Sequence, residues 1–423
     1  MITLLIILLL IFLAFSVPIY VSIGLASFIS VLIFSDIIPM VLIQRMFSGL
    51  DAISLMALPF FVLAANIMDG GGLSKRILSF SRALVGHLAG GIALTSQVAS
   101  MFFGSLSGSS PATVIAIGKI MYPELVKGGY NKSFSGGLLA SAGAVSLVIP
   151  PSITLIIFAA VTGVSVSSLF MGGITAGIVL GLSSIVYIYI YAKKHNIEKD
   201  KRASWEELVK SFGKAFWSLL IPVIILGGIY TGIFSPTEAA VVSVVYAFLI
   251  GFFVYKELDL KTTFKICIDS AITSAQILVL VSSAQLFGWV LTREQVPQQV
   301  SSFMVDNVSS VIIFLLLLNV ILLIMGMFME GIAAITVTAP LIFPAAVAMG
   351  MDPVHLGVIM VTNLAIGMYT PPFGMNIFVA QTITRLELKE MMPGLCKFLA
   401  FNIAGLLLIT YIPEISLFLL RFM

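Results

Sequence analysis

SLVIPPSITLIIFAA (146–160) and GMYTPPFGMNIFVAQ (367–381) each set two consecutive prolines inside an apolar run of membrane-spanning length. A Pro-Pro pair cannot continue a helix: each ring lacks the amide donor, clashes with the preceding turn and pushes its neighbour out of the helical region. Each run therefore reads as two half-helices. Backbone groups freed at membrane depth are tolerated only where they line a wet cavity or meet a ligand. Broken helices in matching positions of two halves point to a midplane transport site, with half-helix N-termini facing anions and unwound carbonyls facing Na⁺.

The two runs belong to a longer repeat. Displacing the sequence by 221 positions puts Pro123 on Pro344 and Pro150-Pro151 on Pro371-Pro372 without a gap, and PSITLIIFAA (151–160) on PFGMNIFVAQ (372–381). In each half a short stretch opened by small or polar residues leads through a proline turn to the broken span. These stretches are GSLSGSSPATVIAIGKIMYPELV (104–126) and GMFMEGIAAITVTAPLIFPAAV (326–347). Gly, Ser and Pro interrupt both before the roughly 20 apolar residues that a straight crossing needs. They read as re-entrant helical hairpins, at about 104–127 and 329–349, followed by broken helices at about 133–160 and 354–383. The chain divides into a first repeat (1–191), a polar connector (192–214) and a second repeat (215–423).

Composition agrees with a membrane protein. The 423 residues are 60% hydrophobic and 10% charged, and 22 Lys plus Arg against 19 Asp plus Glu give a net charge of +3. That excludes an ordinary soluble domain and a nucleic-acid footprint. Cys267 and Cys396 form no metal spacing or disulfide framework, and His87, His195 and His355 are scattered. The N-terminal run lacks a basic leader and stays apolar to about Phe34, so it reads as a retained helix. The connector, AKKHNIEKDKRASWEELVKSFGK, carries seven Lys or Arg and four acidic residues and is cytoplasmic by the positive-inside rule. The basic loop with Lys256, Lys261 and Lys265 follows two crossings later, on the same side.

Ionisable groups near apolar runs are few. Arg293 ends one such run, and its guanidinium fork matches a carboxylate; an interfacial snorkelling residue is the plainer reading. Glu330 opens the second hairpin, where it could orient Arg293, meet substrate hydroxyl or amine groups, or take part in ion coupling. A charge there costs roughly 2.5–3.5 kcal/mol unless paired or hydrated. The first hairpin tip, Gly104 to Ser110, offers hydroxyls, and Ser152 follows the first proline pair. HExxH, GxSxG and paired catalytic carboxylates are absent, which speaks against an intramembrane enzyme.

LPFFVLAANIM, GSLSGSSPATVIAIG, SLVIPPS, FMEGIAAITVTAPLIFP and NLAIGMYTPPFGMNIFVA resemble, in order, signature stretches of the large membrane subunit of tripartite ATP-independent periplasmic (TRAP) transporters, within the ion-transporter superfamily. The likeness extends over essentially the whole chain. It implies an all-α polytopic protein of the bacterial inner membrane with two inverted-topology repeats, about 11 transmembrane segments plus two hairpins, and elevator-type movement. It also implies import of an organic acid anion coupled to Na⁺, with a small four-helix membrane subunit and a periplasmic substrate-binding protein as partners. Carried over, one sodium site falls on Ser105, Ser146, Ile149 and Pro151, and the other on Gly326, Gly367, Thr370 and Phe373. The substrate site falls on Ser105, Ser107, Ser152, Arg293 and Glu330. Sialic acids, C4-dicarboxylates and other carboxylates all stay open as solutes. A stand-alone Na⁺- or H⁺-coupled carrier is the alternative, and a channel or structural subunit stands behind it.

Overall fold

The structure, a computed structural model, describes residues 1–299, 302 and 310–422. Among them it is built of helices, with no strand. The first thirteen α-helices are α1 (Ile2–Ala14), α2 (Ile19–Phe34), α3 (Pro39–Ser48), α4 (Ala57–Gly70), α5 (Leu73–Val85), α6 (Gly91–Ser107), α7 (Ser110–Lys127), α8 (Lys132–Ala144), α9 (Ile153–Thr162), α10 (Val166–Lys194), α11 (Trp205–Tyr230), α12 (Pro236–Leu249) and α13 (Leu260–Arg293). There follow α14 (Val311–Phe328), α15 (Gly331–Ala348), α16 (Pro353–Gly367), α17 (Met375–Thr384), α18 (Leu388–Tyr411) and the short α19 (Pro413–Leu417). Eight described helices are long and apolar enough to cross a membrane, and four more are apolar but shorter. The shorter ones include α9 and α16, because the proline pairs cut their spans.

Local chemistry sets the ends. Ser204 with Glu207 and Ser235 with Glu238 form capping boxes that start α11 and α12, each satisfying a free amide at either side of the cap. Asp352 accepts from the Val354 and His355 amides to start α16, with Pro353 in the first position, where its missing N–H costs nothing.

The offset of 221 read in the sequence also relates the helices. Displaced by it, the N-termini of α6, α7, α8, α9 and α10 fall within one residue of those of α14, α15, α16, α17 and α18. Both proline pairs lie between helices, with a cis bond inside each pair. One local expectation is corrected. Pro123 and Pro344 do not form turns but sit inside α7 and α15, the latter with Pro340 as well. A proline in a membrane helix is tolerated where neighbours and local adjustment re-satisfy the freed carbonyl, and the chain turns later, at Gly128-Gly129 and Met349-Gly350.

Two groups of helices result. The ten related ones pack on one another across the halves: α18 on α8 and α10, α16 on α10 and α14, α17 on α7 and α8, and α15 on α9. The others form an outer group in which α13 packs on α2, α3 and α4, and α12 on α4 and α11. Helix α5 bridges the groups, lying on both α11 and α6.

Candidate functional site

A cavity of about 560 Å³ separates the two groups. Its outer wall comes from α2, α4 and α13, with Tyr20, Asn66, Asp69 and Gln276 as polar groups. The inner wall combines the end of α6 (Phe103, Ser107, Gly108) and the residues Leu147 and Met368 ahead of the two breaks with a set of helix beginnings. Ser109 to Ala112 start α7, Ile153 starts α9, Glu330 and Ile332 start α15, and Met375 starts α17. Four helix N-termini therefore converge on one space. Each carries unsatisfied amides and the positive end of a helix dipole, so their sum favours a negatively charged occupant. Among the described residues no Lys or Arg lines the cavity.

The sequence explains why these helices start here. Gly108 adopts a left-handed conformation (φ 57°) that ends α6, and the chain turns over Ser109 into Pro111 in the first turn of α7. A side chain at Gly108 would press on the Pro151 carbonyl at 2.9 Å, so this turn lies directly against the first break. Ser152 caps α9: its hydroxyl oxygen accepts from the Leu155 amide at 3.2 Å while its proton goes to the Leu147 carbonyl. Glu330 holds the cap position of α15 without bonding its backbone, which leaves the carboxylate exposed to the cavity.

Of the expected substrate residues, Ser107 and Glu330 line this cavity. Ser107 bonds the Thr113 hydroxyl at 2.9 Å, across the turn. Ser105 and Ser152 stand behind the wall, with Ser105 donating to the Phe102 carbonyl at 2.7 Å. Arg293 is not brought to the site. It is exposed at the C-terminal end of α13, where it donates to the Ser35 hydroxyl at 3.3 Å and lies over the Trp289 ring. Among the described residues it makes no ion pair with Glu330.

The two expected ion sets occupy the two breaks. At the first, a Cβ on Gly104 would lie 2.7 Å from the Ser146 Cβ, so α6 touches the break at Ser146. At the second, a Cβ on Gly367 would lie 2.6 Å from the Gly326 Cα, a direct backbone contact that only glycine permits. Ser105, Ser146 and Thr370 give their protons to carbonyls one turn back, of Phe102, Gly143 and Ile366. Each hydroxyl thus keeps its lone pairs for another partner. Among the described residues the carbonyls of Ile149, Pro151 and Phe373 accept no hydrogen bond. Neutral oxygens of this kind suit a hard monovalent cation. No group of three or more His, Cys, Asp or Glu capable of holding a metal occurs among the described residues.

Sequence reading missed Asn376, Tyr369 and Asp69. Asn376, in the first turn of α17, donates to the Ser110 hydroxyl at 2.7 Å and the Ala140 carbonyl at 3.0 Å, tying the second break to the start of α7. Tyr369 is fully buried and accepts from Asn402 of α18 at 2.7 Å. Asp69 could have been found as a carboxylate closing the apolar run LPFFVLAANIM.

Comparison with known proteins places this architecture. Residues 6–415 match the family profile described as "Tripartite ATP-independent periplasmic transporter, DctM component". The C4-dicarboxylate TRAP transporter large permease protein DctM of Pseudomonas aeruginosa is 41% identical over 94% of this chain and 93% of that protein. The sialic acid TRAP transporter large permease protein SiaM of Vibrio cholerae is 35% identical over 89% of this chain and 88% of its own length. Among solved structures, the Alcanivorax borkumensis YdaH transporter superposes with a TM-score of 0.53 at 14% identity, covering 85% of this chain and 87% of that one, which is a likeness of fold.

Proposed function

This chain belongs to the DctM component family of tripartite ATP-independent periplasmic transporters, and from that premise we propose that it carries an organic acid anion inward across the bacterial inner membrane, coupled to Na⁺. The single observation behind the anion is the convergence of four helix N-termini on one cavity. Amides there hydrogen-bond the solute's carboxylate, Ser107 reads its polar groups, and Glu330 accepts from its hydroxyl or amine donors. Ser105 and Ser152 shape the wall from behind. Arg293 stays outside this site because it stands on the surface.

One Na⁺ at each break completes the reading. Ser105, Ser146, Ile149 and Pro151 hold the first; Gly326, Gly367, Thr370 and Phe373 hold the second. The spare lone pairs and unpaired carbonyls support this assignment. Each cation also offsets repulsion between the solute and Glu330 in a cavity without Lys or Arg.

The helix bounds related by 221 positions support two inverted repeats, in which α6–α7 and α14–α15 are the re-entrant hairpins. The ten related helices then form a transport core that slides against the outer group, and the cavity between the groups is the solute's compartment. A small four-helix membrane subunit supports the outer group, and a periplasmic binding protein delivers the solute. Uptake into vesicles holding the chain and both partners tests this. An inward Na⁺ gradient should drive accumulation of a carboxylate solute, and accumulation that persists without Na⁺ would refute the coupling.

A further inference from the structure

Arg45 and Arg293 lie over one indole ring, with guanidinium carbons 5.5 and 5.8 Å from the Trp289 centroid. The ring neutralises neither charge. Among the described residues neither arginine forms an ion pair, and the Arg45 side chain makes no hydrogen bond. Following the helices from the basic 192–214 segment puts this pair on the opposite, outer face. That is where the positive-inside rule leaves few cations. Two guanidinium groups gathered on one tryptophan there form a positive spot in want of an anion.

The neighbouring helix says which kind. Helix α3 packs Leu42 and Met46 inward, and Ser282 of α13 donates to the Met46 carbonyl at 2.9 Å. Apart from the half-buried Val41, its other large apolar residues, Met40, Ile43 and Phe47, share one stripe at helical spacing and are exposed, Phe47 by 67%. Arg45 and Gln44 lie on the polar side of the same helix. An apolar stripe beside a guanidinium pair, with tryptophan at the junction, matches a helix seated at a bilayer interface. A water-soluble anion would meet the charges and leave the stripe uncovered; a lipid meets both.

We propose that Arg45 and Arg293 clamp the phosphate of an anionic phospholipid in the outer leaflet, whose acyl chains cover Met40, Ile43 and Phe47. Each guanidinium keeps N–H donors for the phosphate oxygens while its face rests on Trp289. This site is separate from the cavity and does not depend on the transport reading.

The test is native mass spectrometry of the full-length chain released from detergent with added phosphatidylglycerol or phosphatidylcholine. The wild type should retain phosphatidylglycerol about tenfold more strongly, and Arg45→Ala/Arg293→Ala should lose that preference. Met40→Ser/Phe47→Ser, with both charges intact, should also weaken retention. Soluble glycerol phosphate at matching concentration should not displace the lipid. Equal retention by the double-alanine variant, equal retention of phosphatidylcholine by the wild type, or displacement by glycerol phosphate would each overturn the proposal. Should the double variant fail to fold, Arg45→Gln alone, on an exposed side chain, serves instead: a reduced preference supports the clamp and an unchanged one refutes it.

Discussion

The two proline breaks share a backbone solution and differ in cover. From Ser146 to Ser152 the first break is buried apart from the half-buried Ile149, and Ser152 caps its outgoing helix from within. At the second, Pro372 and Phe373 are exposed, and the outgoing helix starts at Gly374 without a side-chain cap. Its anchor is remote: Asn376 reaches across to Ser110 and Ala140. The first break thus adds a side-chain cap of its own, whereas the second, beyond backbone bonds from Gly374 to Thr370 and from Asn376 to Met368, adds a side-chain tie to the opposite half. Were each break to hold a cation as proposed, the one at the second would lie beside exposed residues, and the one at the first would be enclosed.

This contrast can be broken in several ways. Withdrawal of Na⁺ should have the largest effect, reducing solute uptake to background; with both breaks occupied, the rate should rise sigmoidally with Na⁺ concentration. A simple hyperbola would mean that one break alone holds an ion. Glu330→Gln should follow, slowing uptake about ten- to hundredfold through loss of one charge-assisted hydrogen bond, as read by initial rates. Next, Gly367→Ala and Gly104→Ala should each destabilise the protein by about 1–3 kcal/mol through overpacking, measured by thermal unfolding. Gly367→Ala should be the worse, since its new methyl meets backbone alone, at 2.6 Å from the Gly326 Cα and 3.1 Å from the Leu323 carbonyl, whereas that of Gly104 meets the Ser146 Cβ as well as its Cα.

A labelling experiment sharpens the difference in cover. With Cys267 and Cys396 replaced by Ser, a cysteine in place of Phe373 should react with a hydrophilic maleimide faster than one in place of Ile149, and equal rates would erase the asymmetry. The smallest effect is expected at Arg293. Its alanine variant should keep uptake within about twofold, because its bonds at the surface resemble a weak exposed pair rather than a solute anchor.

Much of this architecture is legible in the sequence. Proline pairs impose breaks wherever they stand, and their common offset exposed the paired helices because prolines cannot be absorbed silently into a span. Glu330 was legible for a similar reason, as a carboxylate with no loop to explain it. The proline turns at Pro123 and Pro344 were misread because a proline signals a weakened helix, not necessarily an ended one. Asn376 was hidden, since its partner Ser110 is 266 residues away and no periodicity links them. Arg293 suggested a solute anchor on chemistry alone. Its position at the end of a 34-residue helix, beyond reach of the cavity, depends on how α13 packs in three dimensions.

The interlocking of the halves bears on how the protein is made. Helix α9 rests on α15, and α7 rests on α17, yet those partners are synthesised well over a hundred residues later. At ordinary translation speeds the first half waits on the order of ten seconds in the bilayer with the face of α9 that meets α15 uncovered. During that interval the backbone around Pro150-Pro151 is already covered by α6 and α10 of its own half, and only that outward face of α9 has lipid, water or insertion machinery for company. The nascent first half should therefore be a preferred client of membrane chaperones until α15 arrives.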